Sequence, residues 1–196
     1  TTFLEDLAAA GFPHEEITDV LCTHLHFDHV GWNTRLVDGK WVPTFPQARY
    51  LFGRREYEHW KHLHETHGYH DLNHMDDAVM PVLEAGLVEF IEPDFRLTDE
   101  VSLIPTPGHT PGHVSVLIQS KGESAVITGD MMHSPIQIAV PEREARFDMD
   151  KSAAARTRGE FVRRFNGTPT LVIGSHFAEP TAGHIVPDGA AWKFKV

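Results

Sequence analysis

The chain has 196 residues, 41% hydrophobic and 23% charged, a composition that excludes disordered and membrane-embedded classes and fits one globular domain spanning 1–196. Its formal net charge of −11 argues against nucleic acid as a partner, because holding a phosphate backbone takes clustered Lys and Arg. No apolar run approaches the roughly 20 residues that cross a bilayer, no basic-then-apolar leader opens the chain, and the lone Cys22 excludes an internal disulfide, so the expectation is a cytoplasmic protein.

Thr2 with Glu5 has the form of a capping box, and Phe3, Leu4, Leu7 and Ala8 recur at helical spacing until Gly11. After Pro13, residues Ile17 to Thr23 read as a strand that runs directly into the polar segment His24 to His29. Residues 48–52 are strand-like, and Glu56 to Glu65 is expected to be a helix exposing several histidines. Further strands are expected at Leu87 to Ile91, Val101 to Ile104, Val114 to Gln119, Ser124 to Thr128 and Thr170 to Ile173. Lys151 to Phe165 is the clearest later helix: Ala154, Ala155, Phe161, Val162 and Phe165 form its apolar stripe, and its basic residues read as a solvated face. Asp188-Gly189 marks a hairpin turn near the end. Strands and helices mixed throughout imply layered α/β architecture.

The chain carries 15 histidines without a consecutive run, so their positions matter more than their number. His24-Leu25-His26-Phe27-Asp28-His29 places four potential ligands within six residues at a strand end. Imidazole nitrogen and carboxylate oxygen are the donors zinc takes, and a tight loop can aim His24 and His26 at one ion while Asp28 and His29 face another. Two later strand ends add donors: the loop Pro107 to His113, containing His109, and Gly129-Asp130. A carboxylate can offer one oxygen to each of two ions, which makes Asp130 the natural bridge. Val172 to His176 is again an apolar strand ending in a ligand type.

These segments, in this order, resemble the metallo-β-lactamase superfamily, whose H-x-H-x-D-H motif is matched at 24 to 29. Thr23 to Trp32 and Gly129 to His133 are most similar to its N-acyl homoserine lactonase and methyl parathion hydrolase branch. The resemblance implies an αββα sandwich and a metal-dependent hydrolase with two divalent ions, zinc first and iron, manganese or cobalt as alternatives. His24, His26 and His109 would hold one ion, Asp28, His29 and His176 the other, with Asp130 between them. A hydroxide bridging the ions would open a lactone or cleave a small ester, a quorum-quenching type of reaction, on a small-molecule substrate. Asp28 would shuttle a proton, and His133, where lactonases carry a substrate-contacting tyrosine, would polarise a carbonyl or protonate a leaving group. Related hydrolases are often dimers. Phosphotriester or thioester hydrolysis, a non-hydrolytic iron or redox module, and a domain serving only as an interaction surface are the alternatives.

Around that centre, His184 is an alternative to His176, and His113 is expected to orient its loop rather than bind metal. Trp32 and Phe27 are candidates for apolar pocket walls. His59, His62, His64, His67, His70 and His74, with Trp60 and Tyr69, form a candidate lid whose side chains are expected to be mostly exposed. Members of the superfamily begin with several strands before the motif, whereas here one helix and one strand precede it. The expectation is therefore a sandwich lacking its N-terminal strands, and a localisation that an absent leader would change.

Overall fold

The computed structural model describes residues 1–67 and 73–196. The chain divides into two compact units, Thr1–Ile91 and Glu92–Val196.

The first unit opens with α1 (Phe3–Ala9) and a 3-10 turn, then β1 (Asp19–Leu21), α2 (Phe27–Val30), β2 (Thr34–Val37), β3 (Lys40–Pro43), β4 (Arg49–Gly53), α3 (Arg54–His67), a π-helical turn (Met75–Val79), α4 (Met80–Glu84) and β5 (Val88–Ile91). Its main sheet has the order β1-β4-β5, both pairs parallel, with Val20 opposite Tyr50 and Tyr50 opposite Val88. The central strand carries Tyr50, Leu51 and Phe52 in succession, all fully buried, as expected of a parallel strand covered on both faces. Leu25, Val30, Trp60, Val79 and Val82 pack into the same core as Tyr50 and Phe52. Each such side chain contributes on the order of 1.5–3 kcal/mol by leaving water.

Two expectations for this unit are corrected. The capping box does not form: Thr2 has ψ 9°, its side chain makes no cap to the helix backbone, and its hydroxyl donates to Asp6 Oδ2 at 2.8 Å instead. A capping hydroxyl reaches the helix amides from an extended backbone, which Thr2 does not have. The strand expected over Ile17 to Thr23 pairs only over Asp19–Leu21, because its far end turns into the histidine segment. The β2–β3 hairpin was not anticipated, although its signal is present. Asp38 and Gly39 have φ 51° and 78°, the two consecutive positive values that a twisted two-residue turn demands.

The second unit contains β6 (Val101–Pro105), β7 (Val114–Ser120), β8 (Glu123–Ile127), a 3-10 turn (Gly129–Met131), α5 (Ile136–Ala139), α6 (Lys151–Phe165), β9 (Leu171–Ile173), β10 (Ala182–Asp188) and β11 (Ala191–Lys195). These strands form one sheet of order β11-β10-β9-β8-β7-β6. Only β8 and β9 run parallel, which requires a crossover, and α6 supplies it. Asp150 caps α6 by accepting from the Ala153 amide at 2.9 Å. Phe161, Val162 and Phe165 of α6 pack with Leu117, Val126, Val172 and Ile185 of the sheet. One expectation for α6 fails: Arg158 is not on the solvated face but is fully buried, because its guanidinium finds carbonyl and carboxylate partners inside the unit. The β10–β11 hairpin closes past Asp188, which pairs with Ala191.

Candidate metal centre

Each unit assembles a cluster of metal-ligand types, and the two clusters are built differently. In the first unit the donors come from one short stretch after β1. His24 is 1% exposed; Thr23 Oγ1 lies 3.1 Å from its Nδ1, and its Nε2 lies 2.9 Å from His26 Nδ1. The backbone between these two rings is pinned by Glu56, a buried carboxylate in the first turn of α3. Glu56 accepts from the Leu25 amide at 3.1 Å and from Trp60 Nε1 at 2.7 Å. Asp28 and His29 occupy α2, with Asp28 Oδ2 3.6 Å from His29 Nε2, and the His29 ring centroid is 4.2 Å from that of His24.

In the second unit the donors come from separate parts of the sheet and converge on one carboxylate. Asp130, 3% exposed, follows β8. Its Oδ2 lies 3.6 Å from His109 Nε2, 3.3 Å from His133 Nε2 and 3.1 Å from His176 Nε2. The rings of His133 and His176 are stacked with centroids 5.2 Å apart. His184, by contrast, lies 3.1 Å through Nδ1 from the Thr170 carbonyl.

The His109 loop is held against the start of α6. Thr157 Oγ1 donates to Pro107 O at 2.6 Å, the Asp150 amide to Gly108 O at 2.9 Å and the Met149 amide to His109 O at 3.1 Å. Gly108 has φ 135°, and a Cβ there would run into the backbone of Ala154, so only glycine lets the loop approach this closely.

His113 lies beneath Asp130 and has a defined proton order. Its Nε2 accepts from the Asp130 amide at 2.9 Å, so Nδ1 carries the proton and donates to Thr106 Oγ1 at 2.8 Å. Thr106 Oγ1 is 3.1 Å from Ser115 Oγ, which donates to the Thr128 carbonyl at 2.8 Å. A neutral imidazole thus fixes the backbone of Asp130 from below, spending both of its nitrogens on the protein.

Asp148 and Arg158 are the other buried ionic groups here. Burial opposes ionisation of the Asp148 carboxyl, but His109, the Ala145 amide and Arg158 together outweigh it and hold the group below the usual carboxylate range. Sequence reasoning missed both residues, and Glu56 as well. None carries a local pattern that distinguishes it from an ordinary surface charge.

The remaining expected residues lie as follows. Trp32 rests on Phe3, with ring centroids 5.0 Å apart, and lines an apolar cavity of about 320 Å³ with Leu7, Cys22, His29 and Phe45. Phe27 is 52% exposed. Burial pushes the Cys22 thiol up to about 12, leaving it a protonated core residue. The expectation of a mostly exposed histidine segment is corrected: His62 is exposed, His59 and His64 are half-buried, and His74 is buried edge-on to Trp60. The cause is Trp60, which lies in the core and draws the neighbouring turns inward. Tyr69, His70 and the side chain of His67 lie outside the described residues. Among the described residues no helix is long and apolar enough to cross a membrane.

The donor chemistry fits a divalent metal. Imidazole and carboxylate groups alone supply both clusters, and three imidazoles crowding one buried carboxylate oxygen is the environment of a cation rather than of a structural turn.

The chain's similarities agree with this chemistry. An N-acyl homoserine lactonase of a Bacillus species is 31% identical over 121 residues, 62% of this chain and 40% of that protein. The probable metallo-hydrolase YybB of Bacillus subtilis is 25% identical over 164 residues, 82% of this chain and 64% of that protein. The chain thus spans less than two thirds of the length of these relatives. Among solved structures, hydrolase AbOPH of the beta lactamase superfamily superposes with a TM-score of 0.81 at 28% identity, covering 98% of this chain and 68% of that one. AidC, a dizinc quorum-quenching lactonase solved with a product, superposes at 0.76 over 99% of this chain and 69% of its own, and at 23% identity it shows the fold alone. The expected metallo-β-lactamase fold, with its mixed α/β content, is therefore the fold of this chain. With residues 1–179 matching the family described as the metallo-beta-lactamase superfamily, the chain belongs to that superfamily.

Proposed function

We propose that the chain is a dinuclear metal-dependent hydrolase that opens a lactone or cleaves a small ester, an N-acyl homoserine lactone being the first candidate. His24, His26 and His109 would hold one ion and Asp28, His29 and His176 the second, with Asp130 a ligand that both could share. Zinc is the metal best suited to these donors. The observation that carries the reading is the convergence of His109, His133 and His176 on a single oxygen of buried Asp130. The substrate class is supported by the lactonase relatives and by exposed apolar groups close in sequence to His133 and Asp148. Ile136, Phe147 and Met149 are 53%, 64% and 44% exposed, and the Met149 amide donates to His109 O. Such side chains suit an acyl chain better than a charged conjugate.

When bound, paired divalent ions supply Lewis acidity and bring the pKa of water toward neutrality. The protein's own groups then handle orientation and protons. His113 and the Thr106–Ser115 pair hold Asp130 in place. His133, whose Nε2 lies 3.3 Å from Asp130 Oδ2, would hydrogen-bond the substrate carbonyl oxygen as charge develops there. Asp28 is 37% exposed and carries a proton to the departing alkoxide oxygen as the ester C–O bond breaks and water oxygen bonds to the carbonyl carbon.

The test is hydrolysis of an acyl homoserine lactone, an aryl phosphotriester and a glutathione thioester by the zinc-loaded chain. Preferential lactone turnover supports the reading. Turnover confined to the phosphotriester or the thioester reassigns the substrate, and turnover of none of them by a metal-loaded chain rejects the activity.

A further inference from the structure

We infer that Asp148, held by the buried guanidinium of Arg158, is a positioning residue that fixes His109 in the tautomer and orientation a metal requires; the inference rests on the reading of His109 as a ligand.

Both side chains are fully buried, with Arg158 Nη1 3.0 Å from Asp148 Oδ2. The same Oδ2 accepts from the Ala145 amide at 3.0 Å, so one carboxylate oxygen is taken up by the fold. The other, Oδ1, lies 3.5 Å from His109 Nδ1. His109 therefore has a carboxylate at each ring nitrogen: Asp148 at Nδ1 and Asp130 at Nε2, 3.6 Å away. A carboxylate facing Nδ1 at 3.5 Å favours the proton on that nitrogen and leaves the Nε2 lone pair for a cation, the arrangement by which carboxylates orient histidine ligands.

Arg158 extends the control to the neighbouring ligand. Its Nε donates to the Pro141 carbonyl at 2.7 Å, and its Nη1 also reaches the carbonyl of Met131, the residue after Asp130, at 3.4 Å. One side chain of α6 thus ties the carboxylate behind His109 to the turn that carries Asp130. A buried ion pair is a poor device for stability alone, since apolar residues of similar volume often serve the fold as well or better. Its placement behind two donors of the second-unit cluster gives it a different use. His113 fixes the Asp130 backbone through the imidazole of a neighbouring loop, whereas the Asp148–Arg158 pair acts on the imidazole of His109.

The experiment compares zinc affinity, by competition with a chromophoric chelator, in the wild type and in D148N/R158M, which replaces the pair with neutral groups so that no lone charge stays buried. Melting of both metal-free proteins is recorded alongside. The expected result is a double variant that remains folded but binds zinc about 10–100-fold more weakly, the usual consequence of losing such a partner. Unchanged zinc affinity in the double variant overturns the positioning role and leaves the metal reading standing. A wild type that takes up no zinc overturns both. Should the double variant not fold, long-range nitrogen–proton NMR of the His109 ring in the wild type decides: a proton on Nδ1 supports the inference, and one on Nε2 overturns it.

Discussion

The two units of this chain supply the same kind of chemistry by opposite routes. The first unit delivers His24, His26, Asp28 and His29 from six consecutive positions, so covalent proximity does most of the work and one buried carboxylate, Glu56, completes it. The second unit gathers His109, Asp130, His133 and His176 from three strand ends, and its cluster exists only while the sheet and α6 are in register. A local motif tolerates disturbance elsewhere in its unit; a distributed one transmits it. Metal binding is therefore expected to be more sensitive to remote packing in the second unit than in the first.

The sharpest attack on that comparison is Phe161→Ala, which empties a buried ring site on α6 at a residue that is not itself a ligand, in the core it shares with Met131, Met132 and Phe177. It is expected to cost about 4 kcal/mol, read as a lowered denaturation midpoint, and to weaken zinc binding too. Unchanged zinc affinity would show that the distributed cluster is not governed by α6. Gly108→Ala comes next: the new Cβ meets the Ala154 backbone at a φ that alanine rarely adopts, so a loss of about 3 kcal/mol is expected, with the His109 loop displaced from α6. Glu56→Gln, in the first unit, is milder. It removes a charged acceptor from two hydrogen bonds, for an expected loss of about 2 kcal/mol, and urea unfolding together with the zinc stoichiometry would show whether the His24–His26 pair holds without it.

The smallest effect is the pH dependence that His74 brings to the first unit. Burial lowers the pKa of His74 below its ordinary 6.5, with His64 adding to the shift and Asp76 opposing it. The unfolded chain therefore binds the proton first, and stability falls as pH drops through 6.5. His74→Phe is expected to flatten the curve of unfolding midpoint against pH on the acid side. An unchanged curve would place the acid sensitivity in other groups.

The contrast between the units also explains what could be read from the sequence. The 24–29 segment was legible because all its donors lie within one loop, and the helix over 151–165 because Phe161, Val162 and Phe165 keep helical spacing through its last turns. Asp38-Gly39 carries a strong turn signal in the sequence, and a closer reading of it would have placed the β2–β3 hairpin. Asp148 and Arg158 were not legible at all. An acid in a loop and an arginine in a helix look like solvated charges until the sheet and α6 bury them together. Glu56 failed for the same reason, since its partners, Leu25 and Trp60, are separated in sequence and brought to it by the packing of α3.

The central proposal, that Asp130 is a ligand shared by two metal ions, is tested most directly by native mass spectrometry of the chain and of Asp130→Ala during zinc titration. The account predicts two ions per wild-type chain and at most one, weakly held, in the variant. Two ions retained by Asp130→Ala with undiminished affinity would contradict it.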